Sequence, residues 1–233
     1  MDVERRRGDQ RRHLVGQGRE EIGDLIQYDA KVIRIQQGDR GVTVSYVNSK
    51  TPSTPQIATA EWCVCTIPLS ILGQIQIDVG PRMKAAIDAV PYSSSVKIGL
   101  QFKRRFWEED EAIYGGISWT TQDITQVWYP SGGIHEQKGI LVGAYIWSND
   151  IADRFAALPL PSRLDAALTD GERLHALYRS HLTRGISVAW GNIPFNRGGW
   201  AQWDHETRTA HYATLLKGDG PFLFAGEHLS YIN

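Results

Sequence analysis

The chain has 233 residues and a mass of 26.1 kDa, with 42% hydrophobic and 22% charged residues, an ordinary globular composition that excludes disorder as the default. A formal net charge of −1 leaves no basic footprint for nucleic acid or an anionic membrane, and no window approaches the ~18 continuous apolar residues of a membrane span. Two cysteines, Cys63 and Cys65, support neither a disulfide framework nor a zinc site; one residue apart in a strand-like run, they are expected on opposite faces. Eight tryptophans and nine tyrosines need either a core or a pocket for a flat ligand.

Residues 1–21 carry Arg5, Arg6, Arg7, Arg11, Arg12 and Arg19 among acids and glycines, with few apolar residues, and predict an irregular exposed arm. The arm lacks the apolar stretch of a secretory signal, so a cytoplasmic location is expected, with export of a complete form left open. From Ile22 the texture changes. Lys31 to Ile35 and Val42 to Val47 flank the turn chemistry of Gln37-Gly38-Asp39-Arg40-Gly41, which predicts a hairpin. Asn48 to Pro55 reads as a polar loop, and Glu61 to Ile67 as a buried-type strand stopped by Pro68.

Pro81 to Val90 has a helix-starting proline and helical apolar spacing. Strands are expected at Val96 to Phe102, Thr125 to Tyr129 and Gly139 to Trp147. Ile151 to Thr183 reads as helical, including a segment Asp170 to Leu182 marked by Leu174, Leu177 and Leu182. The last stretch predicts a polar helix over Asp204 to Leu216 and a strand from Phe222 to Ala225. The fold class is α+β, with changes of composition near Leu72 and Trp190.

Neither G-x-G-x-x-G nor the P-loop pattern occurs, so no complete nucleotide cradle is encoded here. G-x-S-x-G and H-E-x-x-H are also absent. His205 and His211 stand six apart beside Glu206, the wrong spacing for a helical metal pair, and read as surface histidines; no metal site is expected.

The run Tyr92-Ser93-Ser94-Ser95-Val96-Lys97-Ile98-Gly99-Leu100-Gln101-Phe102, followed by Arg105-Phe106-Trp107-Glu108, resembles the substrate-domain segment of flavin-dependent amine oxidases, particularly L-amino-acid oxidases. Trp128-Tyr129-Pro130, Val142-Gly143-Ala144-Tyr145, Trp190, Gly198-Gly199-Trp200 and the terminal Phe224-Ala225-Gly226-Glu227-His228 follow in the order of the C-terminal half of that family. Read from the residues alone, each piece keeps a structural alternative. Lys97 among apolar neighbours is costly to bury unless it snorkels, pairs or serves chemistry. Tyr145 suits a cross-strand aromatic pair, Trp190 and Trp200 suit a core, and Gly226-Glu227 suits a turn.

The resemblance implies a role for each. Lys97 would hold a water against flavin N5, and Tyr145 would donate to an amino-acid carboxylate. Trp190 and Trp200 would form the flavin-facing wall of the substrate cavity, and Gly226 and Glu227 would lie beside the ribityl and pyrophosphate of FAD. Trp200 falls where covalently flavinylated monoamine oxidases carry a cysteine, which implies a non-covalent FAD. The implied reaction oxidises an amine or L-amino acid to the imine and reduces O2 to H2O2. The implied architecture is a partial amine oxidase fold: residues 22–72 part of an FAD-binding domain, 73–190 a mixed-sheet substrate-binding domain flanked by helices, and 191–233 a truncated return to the FAD-binding domain. The dinucleotide fingerprint of the family is missing, so the chain is expected to be a fragment inactive alone, partnered by a separate chain carrying that motif or by copies of itself. The competing expectation is a non-catalytic interaction or regulatory subunit that retains the substrate-domain shell.

Overall fold

The computed structural model describes residues 25–51 and 54–230, and the arginine-rich arm expected over residues 1–21 lies outside the described residues. The chain divides into two units, one of residues 1–62 with 75–78, the other of residues 63–74 with 79–233.

In the first unit, β1 (Ala30–Gly38) and β2 (Gly41–Asn48) form the expected antiparallel hairpin, with Gly38 opposite Gly41. Gly41 adopts φ +113°, and a Cβ there would lie 2.2 Å from the Ala60 carbonyl oxygen, so only glycine fits. β3 (Gln56–Ala60) extends the sheet antiparallel to β2, with all five residues exposed. Its lack of a buried face explains why no hydrophobic alternation announced it. A two-residue strand, β5 (Gln76–Ile77), joins β1 in parallel, so strand directions mix in this sheet. Ile35 and Val42 are its buried apolar residues.

The second unit is built on five antiparallel strands: β6 (Val96–Phe102), β7 (Ile117–Trp119), β8 (Gln126–Trp128), β9 (Gly139–Ile146) and β10 (Leu182–Ala189), in the order β10-β6-β9-β8-β7. One face is dry. Val96, Ile98, Leu100 and Phe102 project into it with no exposure, joined by Leu141, Ala144 and Ile146 from β9. Helices α4 (Asn149–Ala157) and α5 (Leu160–Gly171) bring Ala152, Phe155, Ala167 and Leu168 to this core, and the short α3 (Phe106–Glu109) adds Phe106 and Trp107. Burying a side chain of the Leu, Ile or Phe class stabilises the fold by about 1.5–3 kcal/mol. The buried Arg163 guanidinium closes the joint between α4 and α5 by donating to the carbonyls of Phe155, Ala156 and Leu158.

The helix expected over Asp170 to Leu182 does not form as one element. α5 ends at Gly171, a single helical turn, α6 (Tyr178–His181), follows, and β10 begins at Leu182 opposite Phe102. The cause is a close approach: a Cβ on Gly171 would lie 2.1 Å from Tyr178 Cε1, so the chain folds back and places the fully buried Tyr178 ring over the glycine. Leu174 is left half-exposed, and the apolar spacing that suggested a continuous helix is accidental.

β4 (Cys63–Cys65) pairs in parallel with β11 (Phe222–Phe224). The expectation that Cys63 and Cys65 face opposite ways is corrected here. Side chains two apart in a strand share a face, and Cys65 is buried and Cys63 half-buried while Val64 between them is 60% exposed. Two further helices, α1 (Leu69–Leu72) and α2 (Pro81–Ala89), follow β4, the second with proline at its first position as expected. Before β11 runs α7 (His205–Lys217), capped by Asp204, whose carboxylate accepts the Thr207 amide at 2.7 Å.

Candidate active site

The second face of the five-stranded sheet carries two of the expected site residues, Lys97 and Tyr145. Strand alternation buries Val96 and Ile98 and leaves Lys97 between them exposed, so the desolvation cost suggested by its apolar neighbours does not arise. Lys97 lies opposite Tyr145 on β9 and Val188 on β10. Its Nζ stands 4.3 Å from the centre of the Tyr145 ring, a cation–π contact. On the far side, the Tyr145 ring meets Trp128 of β8 with centroids 5.6 Å apart and planes tilted by 60°. Trp128 is oriented by its own Nε1, which donates to Gln126 Oε1 at 2.6 Å. A row of lysine, tyrosine and tryptophan therefore crosses three adjacent strands. Trp128, to which the resemblance gives no role, reaches Tyr145 through the register that sets it opposite Val142 on β9, a relation no single segment of the sequence announces.

Trp190 and Trp200 reach this region through the backbone. The Trp190 amide donates to the Ser95 carbonyl at 2.9 Å, two residues before Lys97. Ser93 donates its amide to the Trp200 carbonyl at 2.9 Å and accepts the Gly199 amide at 2.8 Å. Both indoles are half-buried. Gly198 permits the turn between them, since it adopts φ +156° and a Cβ there would meet the Tyr92 side chain at 2.6 Å. The segment 93–95 is thus a shared seam between the lysine strand and the two tryptophans.

Glu227 joins the same seam. Its carboxylate accepts the Ala201 amide at 3.1 and 3.2 Å, and burial raises the carboxyl above the ordinary carboxylate range. Gly226 before it is exposed and adopts φ +131°, a conformation reserved for glycine. His228 is buried, donates the shape against which Gly226 rests, and has an Nε2 with no hydrogen-bond partner among the described residues. Burial lowers its basicity. Lys97 and Tyr145 are thus in direct contact, whereas Trp190 and Trp200 are tied to the segment before Lys97 through main-chain bonds, and Glu227 to the residue after Trp200 through its carboxylate. His205 and His211 sit on α7.

Comparison with known proteins gives the family and the fold. The family model for flavin containing amine oxidoreductases matches residues 12–233. The chain belongs to that family. An L-amino-acid oxidase of Siganus canaliculatus is 31% identical over 210 residues, covering 88% of this chain and 40% of the relative. The putative L-amino-acid oxidase YobN of Bacillus subtilis (strain 168) is 28% identical over 211 residues, covering 88% of this chain and 44% of the relative. The solved structure of a putrescine oxidase triple mutant matches with a TM-score of 0.77 at 19% identity, over 91% of this chain and 45% of that one. Cyclohexylamine oxidase from Brevibacterium oxydans IH-35A matches with a TM-score of 0.70, also at 19% identity, over 85% of this chain and 42% of that one. The partial amine oxidase fold is therefore present, and the chain spans less than half the length of the relatives it matches. No helix among the described residues is long and apolar enough to cross a membrane.

The cofactor of an amine oxidoreductase of this family is a flavin, in keeping with FAD as the resemblance implied. The residues present fit one. Gly226, two residues beyond β11, is exposed in a conformation that keeps side-chain bulk away, and the adjoining Glu227 carboxylate is held in place by the Ala201 amide. Exposed peptide groups beside a fixed carboxylate suit the hydroxyl-rich ribityl chain. The only two cysteines of the chain are on β4.

Proposed function

We propose that this chain is the substrate-facing portion of an FAD-dependent oxidase that converts an amine or L-amino acid to its imine, with O2 reduced to H2O2. The observation that carries the proposal is the row Lys97, Tyr145 and Trp128 across three strands of one sheet face, tied by segment 93–95 to Trp190 and Trp200. The flavin, when bound, accepts two electrons from the substrate Cα–H and delivers them to O2.

The work of the chain's own residues is positional. Trp190 and Trp200 offer flat apolar sides that fix the orientation of the substrate carbon. Tyr145, whose hydroxyl bonds to no other described residue, donates to the substrate carboxylate where there is one. The Lys97 ammonium, held over the Tyr145 ring and hydrogen-bonded to no side chain among the described residues, orients a water. Gly226 and Glu227 hold the ribityl and pyrophosphate portion of a non-covalent FAD. We assign residues 22–72 and 191–233 to the FAD-binding domain and residues 73–190 to the substrate-binding domain. The dinucleotide cradle, which these 233 residues do not encode, would come from polypeptide outside them.

The test is to purify the chain with FAD, alone and after mixing with a polypeptide carrying the dinucleotide-binding half of a relative, and record the flavin absorbance and peroxide release on L-amino acids and on diamines. Flavin retained and peroxide formed only in the mixture support the proposal. No flavin in either sample overturns it in favour of a non-catalytic interaction subunit.

A further inference from the structure

We infer that Asn149 is a positioning residue that sets the two tryptophans relative to Lys97. It opens α4 yet spends its side chain elsewhere. Its Oδ1 accepts from the Ser94 amide at 2.9 Å and from the Ser93 hydroxyl at 3.2 Å, and its Nδ2 donates to Gln202 Oε1 at 3.3 Å. These are the two ends of the seam. Ser93 and Ser95 bond the backbones of Trp200 and Trp190, and Gln202 lies two residues beyond Trp200, with its amide donating to the Pro91 carbonyl. One primary amide therefore clamps the strand leading into Lys97 on one side and the segment leaving Trp200 on the other.

The chemistry of the site selects asparagine. Two donors converge on one oxygen, and one acceptor faces the nitrogen, a pattern a carboxamide satisfies with a single orientation. The neighbouring turn of α4 strengthens the clamp, since Asp153 accepts the Ser94 hydroxyl. At the other end of α4 the Ala156 carbonyl accepts from Asn192 Nδ2 at 3.0 Å, anchoring the 3-10 turn Trp190–Asn192 to the same helix. α4 thus serves as a rigid bar bonded to the Ser93–Ser94 segment, to Gln202 and to the Trp190 turn. Supporting groups of this kind hold a binding wall to the fraction of an ångström that catalysis needs. Asn149 is distinct from Lys97, Tyr145, Trp190 and Trp200 in that it touches no substrate position. Its functional meaning rests on the reading of those tryptophans as cavity walls, while its test does not.

The test uses the full chain labelled with 5-fluorotryptophan, with the Trp190, Trp200 and Trp107 fluorine lines assigned by single Trp→Phe variants. Asn149→Leu keeps the volume and removes all three hydrogen bonds; the Trp190 and Trp200 lines are expected to move by more than their widths while the core Trp107 line stays. Asn149→Asp retains both acceptor bonds, and the exposed Gln202 amide can turn to donate, so it is expected to restore both lines. Gln202→Leu removes the third bond alone and is expected to move the Trp200 line only; this exposed substitution decides the matter if Asn149→Leu does not fold. Unmoved Trp190 and Trp200 lines in Asn149→Leu, a Trp107 line that moves with them, a failed rescue by aspartate, or an unmoved Trp200 line in Gln202→Leu each overturns the inference. Failure to load flavin in the mixing experiment would overturn the oxidase reading and leave these fluorine shifts unchanged.

Discussion

Lys97→Met separates a functional lysine from a structural one. The side chain is exposed and stands over the Tyr145 ring at 4.3 Å. An exposed cation–π contact contributes about 0.5–1 kcal/mol, and methionine keeps most of the aliphatic stem that covers the ring. For a chain of this size 1 kcal/mol corresponds to about 2–4 °C in melting temperature. Differential scanning fluorimetry of the chain should therefore show a fall of no more than about 4 °C. In the flavin-loaded complex the same variant should retain its flavin spectrum and show slower turnover or flavin reoxidation by stopped flow. A fall well beyond that range, or loss of the flavin itself, would mean that Lys97 holds the sheet or the cofactor together, and the assignment of a water-orienting role would fail.

Three further outcomes follow from the core and from buried ionisable groups. Gly171→Ala forces a methyl into the Tyr178 ring at 2.1 Å, and since that ring has no exposure the overpacking should cost about 1–3 kcal/mol or more by urea denaturation. Glu108→Leu strands the Arg105 guanidinium, which is 3% exposed, and should destabilise the fold by about 3–5 kcal/mol in the same assay, as loss of one partner of a buried pair does. In the parent chain the Arg105 hydrogen bond holds the Glu108 carboxyl below its ordinary range. The unfolded state then binds more protons between the two values, so this contribution is present above the ordinary carboxylate range and is lost as pH falls through the native value. His228 behaves similarly at higher pH. Burial lowers its native pKa below 6.5, so the unfolded chain takes up the proton first and stability should decline as pH falls from about 6.5. His228→Gln should flatten that part of the melting temperature against pH curve, and an unchanged slope would refute the assignment.

Local chemistry made much of this fold readable. The Gly38 to Gly41 turn, the proline opening α2, the alternation of β6 and the aspartate before α7 each carry their own instruction, and the elements form there. What escaped was decided by distant partners. β3 has no buried face to pattern, β10 follows a leucine series that mimics a helix, and the break at Gly171 depends on a tyrosine ring seven residues later. At the site, Lys97 and Tyr145 were legible because ordered motifs carried them. Their contact and the part of Trp128 needed cross-strand register, which no single segment encodes. Asn149 carried no motif at all; its meaning lies in bonds to residues more than fifty positions away on either side.

The pairing of β4 with β11 has a kinetic corollary. Those two short strands lie about 160 residues apart in sequence, and joining them closes nearly the whole unit into a ring at an entropic cost that must be met before three residue pairs give anything back. On an emerging polypeptide β11 leaves the ribosome about 160 residues after β4. The glycine and glutamate that follow it can take their places only once everything upstream has settled, so any arrested or clipped product would arrive with its sheet folded and its Gly226 corner still unmade.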